Sequence, residues 1–173
     1  GQKAREYSGG VTGTFFISAE LFYSSLARIA ALVGMEPVQQ QTARQDINEC
    51  LAKLQHWAAY APMNYQHKCD LLVAELARHD GQFIAAMDAY DRAIAGAKFH
   101  DFIHEEALAN ELAAKFYLHW GKEKFAACYM QEAYYGYARW GSEAKLNDLT
   151  KRYHHLLQPI LQQAVPSTTL LDT

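Results

Sequence analysis

Histidines and carboxylates are the residues whose spacing chemistry could use here, and each group stops short of a site. His100 and His104 are four apart, which turns two imidazoles to one helical face and can begin a metal site. No third ligand follows at a compatible spacing, so neither metal nor cofactor is expected. His154-His155 follow Tyr153 near a predicted helix end, where a histidine is favoured by the helix dipole alone. The carboxylates are scattered, and most share helical turns with Lys or Arg, as a solvated face does. No nucleophile elbow, Gly-rich phosphate loop or zinc-protease helix occurs. The residues point to a segment without catalysis of its own.

His104-Glu105-Glu106-Ala107-Leu108 matches only superficially the phosphoacceptor box of a histidine kinase. The basic residue and proline that normally follow the acid are missing, and no ATP-binding segment comes after it. Two other stretches suit contact. Tyr134-Tyr135-Gly136-Tyr137-Ala138-Arg139-Trp140 packs four large aromatics into seven residues. These rings cannot all point one way on a helix, so double burial is expected, with a partner-facing surface as the alternative. Gly136 within a helix costs about 1 kcal/mol relative to Ala and predicts close approach of another backbone. Asn64-Tyr65-Gln66-His67-Lys68 follows a proline break and is polar, aromatic and next to a loop.

Composition sets the frame. The chain has 173 residues, half of them apolar, with 11 Tyr, 8 Phe and 3 Trp. That length suits one domain with a real core, and the profile suits packed helices. The net charge of −3, with both signs interspersed and no basic stripe, argues against nucleic acid. Cys50, Cys69 and Cys128 are odd in number and form no Cys-x-x-Cys pair, so reduced core thiols and a cytoplasmic location are expected. Phe15–Val33 is apolar, but Glu20, Arg28 and three serines interrupt it. An amphipathic helix, not a membrane span, is expected there.

Two stretches match at an offset of 40 residues. Gly81, Ala86, Tyr90 and Ala93 return as Gly121, Ala126, Met130 and Ala133. A glycine ends one helix, and small residues let the next lie close to its neighbour. The spacing is that of a tetratricopeptide hairpin, lengthened beyond its usual period of about 34 residues. The expected fold is all-α: about seven helices in antiparallel hairpins, stacked as a tetratricopeptide-like α-solenoid over residues 13–160. Residues 1–12 read as the end of a preceding helix, stopped at Ser8-Gly9-Gly10, and residues 161–173 as a linker.

Hydrophobic periodicity and stop signals place the helices at about 15–34, 43–60, 64–79, 83–98, from Asp101 to Trp120, 123–140, and from Ser142 onward. Phe15, Ala19, Phe22, Leu26, Ile29 and Val33 share one face of the first. Thr42 with Gln45 predicts a capping box for the second, with Ile47, Cys50, Leu51, Leu54, Trp57 and Ala58 buried. Asp101 and Ser142 are expected caps. Leu146, Leu149, Tyr153, Leu156 and Ile160 line the last helix.

Several long segments then agree, in order, with one known architecture. They are Ala61–Lys68, Glu105–Tyr117, Trp120–Lys124, Tyr129–Tyr135 and Tyr137–Gly141. Together they resemble the helical-repeat region of very large bacterial signalling proteins. Those proteins join a serine/threonine kinase-like domain, a signal-transduction ATPase module, the repeat region, a GAF sensor domain and a histidine kinase. The resemblance implies a two-component signalling role, with neighbouring ATPase, GAF or kinase domains, or a second copy, as partners. It carries over no catalytic residue, because the family's phosphate loop, kinase residues and phosphoacceptor histidine match nothing here.

The candidate contact face comprises Asn64, Tyr65, His67, Asn110, Lys115, Tyr134, Tyr137 and Arg139. Two other functions remain open. One is a small-molecule sensor with a pocket near the Tyr134–Trp140 helix. The other is a free-standing adaptor whose Lys115, Lys122, Lys124 and Arg139 clamp a peptide carboxylate.

Overall fold

The computed structural model describes the backbone of residues 2–163 and the side chains of 16–162. All regular structure among these residues is helical. Eight α-helices follow one another: α1 (Gln2–Ala31), α2 (Pro37–Tyr60), α3 (Pro62–His79), α4 (Phe83–Phe99), α5 (Ile103–His119), α6 (Glu123–Trp140), α7 (Glu143–Arg152) and α8 (His154–Gln163). A single 3₁₀ turn, Leu32–Gly34, follows α1. The chain forms two compact units, residues 1–96 and 97–173, with the boundary inside α4.

In the first unit, α1 packs on α2 and α3, and α2 on α3. Pro37 and Pro62 each open a helix, where a missing N–H costs nothing and the fixed φ suits the first turn. The capping box expected at Thr42 lies six residues earlier. Glu36 and Gln39 form it, with the Glu36 amide donating to Gln39 Oε1 at 3.2 Å. Thr42 already lies inside α2 and bonds back to the Val38 carbonyl. Of the face expected on α2, Ile47, Cys50, Leu51, Leu54 and Ala58 are buried. Trp57 is half-buried, its ring tilted against Tyr65 at 5.7 Å.

Helix α1 departs from expectation twice. It runs unbroken through Ser8, Gly9 and Gly10, where a stop was read, since glycine weakens a helix without forbidding it. Its buried seam is Ser18, Phe22, Ser25, Ile29 and Leu32, whereas Val33 is 77% exposed. Two small serines occupy seam positions that apolarity alone assigns to larger neighbours.

In the second unit, α5 packs on α6, and α6 on α7 and α8. Doubled burial belongs to α5, not to the aromatic helix. Ten residues of α5 are buried, three of them glutamates. Helix α6 is one-sided: Ala126, Met130, Ala133, Gly136 and Tyr137 are inside, while Tyr135 and Trp140 are exposed. The single helix expected after Ser142 is two, broken at Tyr153. Leu149 before the break and Leu156 and Leu157 after it are all buried. The linker expected from 161 falls, beyond Gln163, outside the described residues.

Four turns share one construction. At Gly81, Asp101, Gly121 and Gly141 the backbone takes a positive φ of 70°, 59°, 75° and 78°. In each, the next residue's amide donates to the carbonyl five back: Gln82 to Ala77, Phe102 to Ala97, Lys122 to Tyr117 and Ser142 to Tyr137. That is the Schellman closure of a helix. The turns recur every 20 residues, half the offset read from sequence. Asp101 was expected to cap α5; it is instead the left-handed residue that closes α4, and Phe102 stands at the N-cap without a side-chain bond.

Candidate functional site

The most elaborate polar chemistry lies at the two helix pairs whose turns are Gly81 and Gly121, and it repeats. Helix α3 buries Asp70 and Glu75, and α5 buries Glu106 and Glu111. In each pair the acids are five residues apart, too far around a helix to share one partner. Each following helix supplies a Tyr-x-Arg: Tyr90-Asp91-Arg92 on α4 and Tyr137-Ala138-Arg139 on α6. The tyrosine hydroxyl donates to the second acid, Tyr90 to Glu75 and Tyr137 to Glu111 at 2.7 Å. The arginine pairs with the first acid, Arg92 with Asp70 at 3.2 Å and Arg139 with Glu106 at 3.1 Å.

Each second acid also holds a cation from its own helix. Arg78 reaches Glu75 at 2.7 Å, and Lys115 reaches Glu111 at 2.5 Å. Glu111 takes one more, Lys145 of α7 at 2.8 Å, whose ammonium also lies over the Tyr137 ring at 5.1 Å. Glu111 thus ties α5, α6 and α7 together. Burial alone would raise its pKa, but bonds from Lys115, Lys145 and Tyr137 overcome that and hold it at about 2. On Tyr90, burial first and the Glu75 charge second push ionisation far above the ordinary tyrosine range. These groups are pinned in one protonation state. That suits a staple and not an acid–base pair, which needs a group poised near neutrality.

The staples escape a search at one offset. The acids repeat at 36 residues (Asp70 to Glu106, Glu75 to Glu111) and the Tyr-x-Arg at 47 (Tyr90 to Tyr137). The signal that finds them is an acid, four residues, a glutamate, and then Tyr-x-Arg in the next helix.

Small residues at offset 40 set the approach of these helices. A Cβ on Gly136 would lie 2.8 Å from the Ala107 Cβ and 3.2 Å from its Cα. One on Gly96 would lie 3.2 Å from the His67 Cβ. The close approach predicted at Gly136 is therefore present, with α5 as the neighbour.

The eight candidate contact residues do not form one face. His67, Asn110 and Tyr137 are buried, which corrects their assignment to a contact surface. Tyr137 is held by Glu111, and Asn110 donates to the Glu106 carbonyl at 2.9 Å. Lys115, Tyr65 and Tyr134 are half-buried, and only Asn64 and Arg139 are exposed. Asn64, Tyr65 and His67 belong to the first unit and the other five to the second. Three of the four cations of a peptide clamp are committed separately: Lys115 to Glu111, Arg139 to Glu106, and Lys122 over the Trp120 ring at 5.6 Å.

The histidines are equally dispersed. His100 is exposed in the turn before α5, while His104 stacks on Trp140 at 5.2 Å. Among the described residues no group of three or more His, Cys, Asp or Glu is arranged to hold a metal ion. Cys50 and Cys69 are buried, but Cys128 is exposed, against its reading as a core thiol. Burial, then the neighbouring Asp70, pushes the Cys69 thiol up to about 11.

Comparison with known proteins finds no matching family model, no matching curated protein and no matching solved structure.

Proposed function

We propose that this chain is a non-catalytic, protein-interaction helical-repeat segment of a multi-domain signal-transduction kinase. In this reading its hairpins stack as a tetratricopeptide-like α-solenoid. It connects an ATPase module to a sensor and histidine kinase half, and works in the bacterial cytoplasm without a cofactor. The observation that carries the reading is the recurrence of one hairpin design. Turns of one geometry stand 20 residues apart, and two hairpins carry the same acid, tyrosine and arginine staple. Repeated supersecondary units that bury their faces against one another make extended binding surfaces, and small rotations per unit add along the array. The segments that resemble the signalling proteins include the second staple, Glu106, Glu111, Tyr137 and Arg139.

A small-molecule pocket beside Tyr134–Trp140 has less support, because the inner side of that helix is filled by α5 at Ala107.

The test is the reading frame around this segment together with ATP turnover by the purified chain. The reading expects a nucleotide-binding module on one side, GAF and histidine kinase domains on the other, and no ATP hydrolysis by the chain alone. An isolated frame of this length, or turnover that survives rigorous purification, overturns it.

A further inference from the structure

Helix α8 is the least anchored element of the second unit. It packs on α6 and α7 along one narrow seam. Leu156 and Leu157 are buried, Ile160 and Leu161 are half-buried, and His154, His155, Gln158, Pro159 and Gln162 are exposed. Among the described residues one side-chain bond ties it to another helix, from Gln131 Nε2 of α6 to the Leu156 carbonyl at 3.0 Å. The other helices of the unit are held differently. Glu111 of α5 joins α6 through Tyr137 and α7 through Lys145, and no described residue of α8 enters that cluster.

The backbone of α8 is weak in two places. At its start, Tyr153 leaves the helical conformation, at φ −127° and ψ 31°. The α7 ladder ends there, with the Tyr153 amide donating to the Leu149 carbonyl at 2.8 Å. A new ladder begins with the Leu156 and Leu157 amides, which donate to the Tyr153 carbonyl at 3.0 and 3.2 Å. Within α8 stands Pro159. It has no N–H for the His155 carbonyl, and its ring crowds that carbonyl. A helix of ten residues has few backbone bonds to lose and little stability apart from its packing. A weak element beside a strongly tied one opens at a lower free energy than the whole. Because seam residues lie on both sides of Pro159, the helix is held, and let go, along its full length.

We propose that α8 is a hinged, detachable helix. It lets go of α6 and α7 as one piece, turning about Tyr153, while α5, α6 and α7 stay folded. Gln131 is its latch. Release frees Leu156 and Leu157 and uncovers the faces of α6 and α7 on which the helix lies. The proposal goes beyond the signalling reading and does not depend on it.

Residue-resolved amide hydrogen exchange of the 173-residue chain tests it. The Leu157, Ile160 and Leu161 amides should share one level of protection, at least about tenfold below that of Ala113 and Ala114 in α5. Pro159→Ala should raise protection throughout α8 by about tenfold or more. Gln131→Ala should lower it by about threefold to tenfold. Both variants should leave α5 unchanged, and circular dichroism confirms that each is folded. Protection in α8 equal to that in α5 would show that the helix opens only with the whole unit, and overturns the proposal. So does protection that falls steadily from Leu157 to Leu161, which is fraying from the end and not release at a hinge. A Pro159→Ala or Gln131→Ala effect shared equally by α5 and α8, or none on α8, overturns it as well.

Discussion

Glu111 shows how a single buried carboxylate can organise a unit. It is 2% exposed and receives two ammonium groups and one phenol. Removing one side of such a cluster leaves unmatched charge in the interior, which costs more than the cluster contributes intact. Its pKa falls from the ordinary 4.5 to about 2 on folding. The unfolded chain therefore takes up the proton first. The stabilisation is complete above pH 4.5 and is lost as pH falls toward 2, amounting to about 3 kcal/mol. Glu111→Gln should lower stability at neutral pH and flatten the stability profile in that acid window. Urea unfolding followed by circular dichroism at several pH values checks both. Lys115, four residues along the same helix, was legible in sequence; the other two partners were not, since Lys145 is 34 residues away and Tyr137 is 26. Tyr137 was placed on the contact face because the sequence does not disclose a hydroxyl satisfied from another helix.

At the scale of elements, turns and close contacts explain what the sequence disclosed. Glycine betrays a left-handed turn, so Gly81, Gly121 and Gly141 were visible as stops. Asp101 was not, because aspartate is also a favoured N-cap. Asp101→Gly should therefore stabilise the protein by about 0.5–1 kcal/mol, by relieving the left-handed strain. Thermal unfolding with a matched Asp101→Ala control, which keeps the strain, separates this from loss of the side chain. Between helices, Gly136→Ala should destabilise by about 1–3 kcal/mol because the new methyl meets Ala107 at its Cβ and backbone. Gly96→Ala should cost less, since its methyl would stand 3.2 Å from one side-chain atom. Chemical denaturation of the two variants side by side tests the order.

Over the whole molecule, the helical class and most helix boundaries followed from apolar periodicity, because packing requires it. The 40-residue offset was equally open to reading, since Ala86, Tyr90 and Ala93, like Ala126, Met130 and Ala133, are all buried. The break at Tyr153 was hidden: apolar residues continue through it, and only the Tyr153 backbone, at φ −127° and ψ 31°, leaves the helical conformation. Which helix would be enclosed was hidden too. Aromatic content pointed to α6, whereas α5 is enclosed by virtue of alanines and satisfied glutamates. Small residues and paired charges carry no hydrophobic signal, yet they are what allow a helix to be surrounded.

The bond from Tyr90 to Glu75 has a spectroscopic consequence. Its phenol stays protonated in the folded chain through the range in which an ordinary tyrosine ionises. In alkaline solution the near-ultraviolet absorbance of tyrosinate therefore arrives in two instalments, the later one only when the helices part. The first unit carries its own optical clock for opening, with no dye or label attached.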